Sequence, residues 1–108
     1  MSRSRTSTAG TKAERTPDLA RMRRPPTHPG EVFEEEFRKP SGISQAEAAR
    51  RMQMSVNRLN EIVKGKRGVT AETAIAFGEL TKTSPAMWLH MQGDHDLWHA
   101  LRDRKRVA

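Results

Sequence analysis

The stretch Gln45-Ala46-Glu47-Ala48-Ala49-Arg50-Arg51-Met52-Gln53-Met54-Ser55-Val56-Asn57-Arg58-Leu59 decides how this chain folds. Ser44 stands just before it and Glu47 lies three residues further on, the spacing of a capping box. A helix therefore opens here and runs through Ala46, Ala48, Ala49 and Met52. Gln53-Met54-Ser55 is too short for anything but a tight turn. From about residue 56 to 64, Val56, Leu59, Ile62 and Val63 follow the i, i+3, i+6, i+7 stripe of a half-buried helix, and Gly65 ends it. The alanines allow the first helix to approach its neighbour closely, while the second turns Asn57, Asn60, Glu61 and Lys64 outward, flanked by Arg58. One helix bracing another that has a polar outer face is the helix-turn-helix arrangement, in which the second helix enters the major groove of DNA.

The flanking sequence reads as further helices with short connectors. A helix over about 30–38 carries Val32, Phe33 and Phe37 and stops before Pro40 and Gly42. Thr70 caps a helix over about 71–82 that buries Ala71, Ala74, Ile75, Phe77 and Leu80. Ser84-Pro85 opens another, with Met87, Trp88, Leu89 and Met91, and a last helix over about 94–105 carries Leu97, Trp98 and Leu101. No segment sustains period-two alternation, so the fold class is all-α, with five or six helices in one domain spanning 28–105.

Composition narrows the functions. With 108 residues, 34% hydrophobic and 31% charged, the chain supports one lean core. There is no cysteine, which excludes a disulfide scaffold, a thiol nucleophile and a Cys-based zinc site. No apolar run approaches the roughly 20 residues of a membrane span, and no secretory signal is present, so a cytoplasmic protein without membrane contact is expected. The net charge of +7 is unevenly placed: residues 1–27 net +5, 102–106 net +3, and the middle is close to neutral. Within that middle, residues 50–67 hold six basic side chains against Glu61 alone, which points to a localised polyanion site. Residues 1–27, rich in Ser, Thr, Arg and Pro, cannot bury enough apolar surface to offset their ordering entropy and read as a disordered basic arm, with a short helical turn at 17–23.

These observations assign candidate roles. Gln45, Ser55, Val56, Asn57, Arg58 and Asn60 face bases or the nearest phosphates, because Asn can pair with adenine and Arg with guanine, and helix N-termini favour phosphate. Lys64, Lys66 and Arg67 follow the second helix and hold the DNA backbone. Glu61 pairs with Lys64 or Arg58. Trp88, Met91, Leu97, Trp98 and Leu101 form an apolar stripe larger than so small a domain covers, part of which a second subunit would bury, with Trp88 and Trp98 as core or dimer-interface anchors rather than stacking platforms for bases.

Residues 45–59 resemble the helix-turn-helix of lambda-repressor/Cro-like proteins, with Gln at the opening, Ala five positions in and a branched apolar residue at the fifteenth. Gln53 occupies the turn position that is usually glycine. Over about 28–98 the likeness narrows. His28-Pro29-Gly30-Glu31, Gly42-Ile43-Ser44-Gln45, Leu59 through Thr70, Thr73-Ala74, Thr83-Ser84-Pro85, Trp88-Leu89 with Gln92, and Asp96-Leu97 together resemble HigA-type antitoxins of bacterial toxin–antitoxin modules. That resemblance implies a homodimer that represses its own operon and blocks a RelE/HigB-like mRNA-cleaving toxin by binding it.

Other readings stay open beside this one. A stand-alone repressor of the same fold would need no toxin. His95 and His99 have the i, i+4 spacing of metal ligands, but no general base and no third ligand accompany them, so no metal, cofactor or enzymatic activity is expected. Glu34, Glu35 and Glu36 read either as a solvated face or as an acidic patch toward a toxin. The basic arm could reach DNA, wrap a toxin or only solubilise the chain.

Overall fold

A computed structural model describes residues 18–107, and among them five helices and no strand. Helix α1 has three parts: α-helical over Pro29–Phe33, π-helical over Glu34–Arg38 and α-helical again over Lys39–Ser41. His28 caps it, its Nδ1 accepting the Gly30 N–H at 2.9 Å. The expected stop before Pro40 does not occur. In the π turn the Lys39 N–H reaches back five residues to the Glu34 carbonyl. That widened turn admits a proline ring, which in a regular helix presses on the carbonyl four residues back. The chain leaves the helix at Gly42, with φ 79°.

Helix α2 (Gln45–Arg51) and helix α3 (Val56–Val63) follow. The Ser44 hydroxyl accepts the Glu47 N–H at 3.0 Å, but the reciprocal half of the expected capping box is replaced. Glu47 binds Arg50 at 2.5 Å and Arg51 at 2.8 Å instead. Those hydrogen bonds hold its carboxyl down at about 2. The complete capping box lies at helix α4 (Ala71–Thr81), between Thr70 and Thr73.

Helix α5 (Pro85–Val107) runs unbroken where two helices were expected. Gly93 sits mid-helix, a cost of about 1 kcal/mol relative to alanine. The neighbouring Gln92 is anchored there, its Oε1 accepting the Val69 N–H at 2.7 Å and its Nε2 donating to Asp96 at 2.9 Å. Tertiary anchoring outweighs the local weakness.

The core joins Phe33, Ala48, Ala49, Met52, Leu59, Ile62, Ala74, Phe77 and Trp88. Phe33 stacks on Phe77 with centroids 4.6 Å apart, and Trp88 meets Phe77 edge-on at 5.0 Å while donating from Nε1 to the Thr83 hydroxyl at 2.7 Å. Trp88 is therefore corrected from interface to core: at 0% exposure it leaves nothing for a partner. Ile75 moves the other way and is 50% exposed, because it falls on the outer face of α4.

The fold also begins before residue 28. Residues 18–27 lie along α5, with Leu19 buried, and are held by main-chain carbonyls. Trp98 Nε1 donates to Met22 at 3.0 Å, Arg102 to Arg23 at 3.4 Å, and His95 Nδ1 lies 2.9 Å from the Pro26 oxygen. The turn expected at 17–23 is present at Asp18–Met22. Trp98 is covered by its own chain, which removes most of its area from the candidate interface; Met91 and Leu101 are half-buried and Leu97 is exposed. Residues 1–17, the rest of the basic arm, lie outside the described residues.

Gln53 has φ 57°, the left-handed conformation that costs a side-chain-bearing residue about 1–2 kcal/mol. Gln53→Gly is expected to raise stability by about 0.5–1 kcal/mol after glycine's own entropy is counted, read as a higher urea midpoint at unchanged slope.

Candidate nucleic-acid interface

Helix α3 stands on the alanine face of α2. Ala48 and Ala49 are 0% and 2% exposed, so the two backbones come close without intervening side chains. Leu59 and Ile62 pin α3 from behind at 0% exposure. Its front opens to solvent: Ser55, Val56 and Asn57 are exposed, and Arg58 and Asn60 are half-buried. The Ser55 hydroxyl oxygen caps α3 by accepting the Arg58 N–H at 3.0 Å, which leaves its proton for an incoming acceptor. Val56, expected on the apolar stripe, is 47% exposed at the leading end of the helix, a position from which it can touch a base methyl.

The far end of α3 is closed by a glycine motif. Gly65, at φ 75°, sends its N–H to the Ile62 carbonyl at 3.0 Å, and Lys66 sends its N–H to the Glu61 carbonyl at 2.8 Å. This paired closure satisfies the last helical carbonyls and projects the basic loop in a fixed direction. Lys64 and Lys66 are exposed and, among the described residues, in no ion pair. Arg67 is held by Glu61 at 2.8 Å. Glu61 thus pairs with neither expected partner, because the loop folds back under the helix and brings Arg67 nearer than Lys64.

Arg58 is held loosely. Its guanidinium lies 3.8 Å from Glu72 of α4, and its Nε is buried with no hydrogen-bond partner. A buried donor left unmatched is costly.

Behind α3 lies a polar chain that sequence reading missed. Glu34 of α1 is 8% exposed and takes both ends of the Arg38 guanidinium, at 2.6 and 2.5 Å. The Arg38 hydrogen bond holds the Glu34 carboxyl below its ordinary range. Arg38 also donates to the Ile43 carbonyl at 2.7 Å. Gln45 Nε2 lies 3.5 Å from Glu34 Oε2, and Gln45 Oε1 accepts from Asn60 Nδ2 at 3.1 Å. The i, i+4 spacing of Glu34 and Arg38 was a legible sign of their pairing. Nothing local connects Gln45 to Asn60, fifteen residues on. Glu34, read from sequence as surface, is inside, and Lys39 engages Glu35 at 2.8 Å, so two of the three glutamates are neutralised within the chain.

On the other flank, the His28 ring lies beside Gly65, where an added Cβ would sit in ordinary contact with it, and meets His95 edge-on at 4.9 Å. Burial, then the neighbouring His95, push the His28 ring below its ordinary value, against the smaller pull of Asp96. His95 Nδ1 faces a carbonyl, which only accepts, so this nitrogen carries a proton. Among the described residues no group of three or more His, Cys, Asp or Glu is arranged to hold a metal ion, and no helix is long and apolar enough to cross a membrane.

The fold and this face define a helix-turn-helix protein. Residues 35–88 match the helix-turn-helix family, and the chain belongs to it. Virulence-associated protein I of Dichelobacter nodosus is 39% identical over 83 residues, 77% of each chain. Antitoxin HigA-1 of Vibrio cholerae is 32% identical over 81 residues, 74% of this chain and 75% of that one. Among solved structures, Pseudomonas aeruginosa antitoxin HigA with the higBA promoter superposes at a TM-score of 0.72 with 34% identity, covering 76% of this chain and 89% of that one. Antitoxin GraA in complex with its operator superposes at 0.71 with 35% identity, covering 80% and 85%. Relatives named as antitoxins or as HTH-type transcriptional regulators place the chain beside HigA-type antitoxins, and none of those names is an enzyme's.

Because the buried His28 ring gives up its proton more readily than in the unfolded chain, the unfolded state binds more protons below the ordinary value of 6.5. Its contribution to stability is complete above 6.5 and is lost as pH falls toward the lower folded value. His28→Asn keeps an oxygen to cap α1 but does not titrate. Thermal unfolding between about pH 7 and pH 5 is expected to be less pH-dependent in this variant than in the parent chain.

Proposed function

We infer that this chain is an antitoxin that represses its own operon as a DNA-bound homodimer and neutralises a RelE/HigB-like toxin by direct binding. The observation that carries the DNA part is the solvent-facing end of α3. Val56, Asn57, Arg58 and Asn60 lie on the front of α3 and the exposed Lys64 and Lys66 follow it, while buried alanines of α2 and its own Leu59 and Ile62 brace it from behind. Two related structures of the same fold, HigA and GraA, are described with promoter or operator DNA.

In this reading α3 lies in the major groove, Asn57, Arg58 and Asn60 meet base edges, and Gln45 and Ser55 sit at the nearest phosphates. Lys64, Lys66 and Arg67 grip the backbone. Two copies would place their α3 helices about 34–36 Å apart, or at a multiple of that, on a palindromic operator. Exposed Ile75, Met87, Leu89 and Leu97, with half-buried Met91 and Leu101, supply the apolar surface for pairing through α4 and α5. The toxin rests on relatives named as antitoxins, including that of Vibrio cholerae. A Haemophilus influenzae relative described as an HTH-type transcriptional regulator, 32% identical over 77 residues, supports a stand-alone repressor as the second reading. Both readings place the protein in the cytoplasm, at the nucleoid when bound.

Capturing the chain from its native cells in about 0.5 M salt, which removes nucleic-acid-mediated company, separates the two. A small basic protein at fixed stoichiometry supports the antitoxin, and a homodimer alone leaves the repressor. Asn57→Ala is expected to cost about 1–3 kcal/mol on the preferred DNA sequence and to relax the choice of base at one position per half-site. Lys66→Ala is expected to weaken binding to every sequence alike and to lower the slope of log K against log salt by about one. Equal losses on specific and random DNA for both variants would overturn these assignments.

A further inference from the structure

Asn60 does not choose its own orientation. We propose that Glu34, a residue of α1 remote from the DNA face, is a positioning residue that sets which atoms Asn60 offers to a base. This rests on the DNA-reading role proposed for α3.

The argument follows donors and acceptors. Arg38 is always charged and grips Glu34 with two N–H groups, so Glu34 stays ionised and can only accept. Gln45 Nε2 is 3.5 Å from a Glu34 oxygen, so this end of the amide must be the donor. Its other end, Oε1, can only accept. At 3.1 Å it takes a proton from Asn60, which must therefore turn Nδ2 inward. Asn60 then keeps Oδ1 and one Nδ2 proton, neither of which has a partner among the described residues. One acceptor beside one donor is the pattern that pairs with the N6 amino group and N7 of adenine.

Without the carboxylate the chain of constraints is broken. Gln45 could then turn either way, and an inverted Gln45 would offer a donor to Asn60. Asn60 would answer with Oδ1, which exchanges the places of donor and acceptor on its outer edge and turns both amide protons outward, an arrangement that no longer matches adenine's N6 and N7. The negative charge of Glu34 would thus be read out as a base preference two hydrogen bonds away.

The test is the base-preference profile of the full chain, selected from a randomised duplex library at fixed salt. Asn60→Ala locates the base pair that Asn60 reads. Gln45→Met keeps the Glu34–Arg38 pair and cuts the relay at its middle. Glu34→Gln cuts it at its source. Because Glu34→Gln leaves the part-buried Arg38 without its counter-charge, which is destabilising, Glu34→Met with Arg38→Met is made alongside it, removing both charges together. Each relay variant is expected to lose most of a roughly ten-fold or larger preference for adenine at the position located by Asn60→Ala, with the base preferences elsewhere unchanged whatever affinity Gln45→Met loses on all sequences alike through its phosphate contact. Adding Asn60→Ala to Gln45→Met should change that position no further.

If Asn60→Ala flattens one position while the folded relay variants leave it intact or weaken all sequences evenly, the positioning role is overturned and the DNA-reading role of Asn60 stands. If Asn60→Ala changes no position, that reading itself fails, and the role of Glu34 fails with it.

Discussion

The rest of the structure depends on one close approach, where the first turn of α1 lies backbone to backbone on the end of α3. A Cβ at Gly30 would collide with the Ile62 carbonyl. Glycine is needed here for space, and the contact sets how far α3 stands from the core. His28, two residues earlier, caps α1 and lies beside Gly65, so the same turn also backs the basic loop. Phe33, three residues later, carries the connection to Phe77 and Trp88 and hence to α4 and α5. Helix α3 is thus fixed from behind at its C-terminal end, by packing that leaves its outer face free.

Electrostatics on that outer face follow a division of labour. Arg50 and Arg51 are occupied by Glu47, Arg67 by Glu61, and Arg58 is loosely held by Glu72. Exposed pairs of this kind contribute little to stability, typically below about 1 kcal/mol. Their effect is on direction, since each holds a long side chain in place before a polyanion arrives. Lys64 and Lys66 lack such partners among the described residues and keep their full charge facing solvent. Buried Glu34 differs in kind, because its pairing with Arg38 lies inside the fold and reaches the DNA face only through Gln45 and Asn60.

Much of this was legible from residue types alone. Ser44, Ser55, Thr70 and Ser84 each mark a helix start, because a side-chain oxygen before an apolar-periodic run satisfies N–H groups the helix cannot. Gly65 marks the end of α3, and the resemblance to lambda-repressor/Cro-like turns marked Gln53 as the position that is usually glycine, where the structure has φ 57°. The errors came where local signals met distant anchors. Pro40 read as a stop but was absorbed by a π turn, and the two helices expected after Ser84 are one, held through Gly93 by the neighbouring Gln92, which is tied to Val69. Residues 18–27 read as too polar to order, yet α5 holds them by their carbonyl groups, which every sequence possesses.

The sequence by itself determined the all-α class, the pair of helices with their three-residue turn, and the basic loop after Gly65, because capping, turn geometry and helical periodicity act over a few residues. Only the tertiary structure decided which of those groups remain available. It put Trp88 in the core, laid the chain's own segment over Trp98, turned Glu34 inward and joined Gln45 to Asn60. Burial and hydrogen-bond partnership are properties of neighbours brought together across long stretches of chain, and a pattern read along the chain does not contain them.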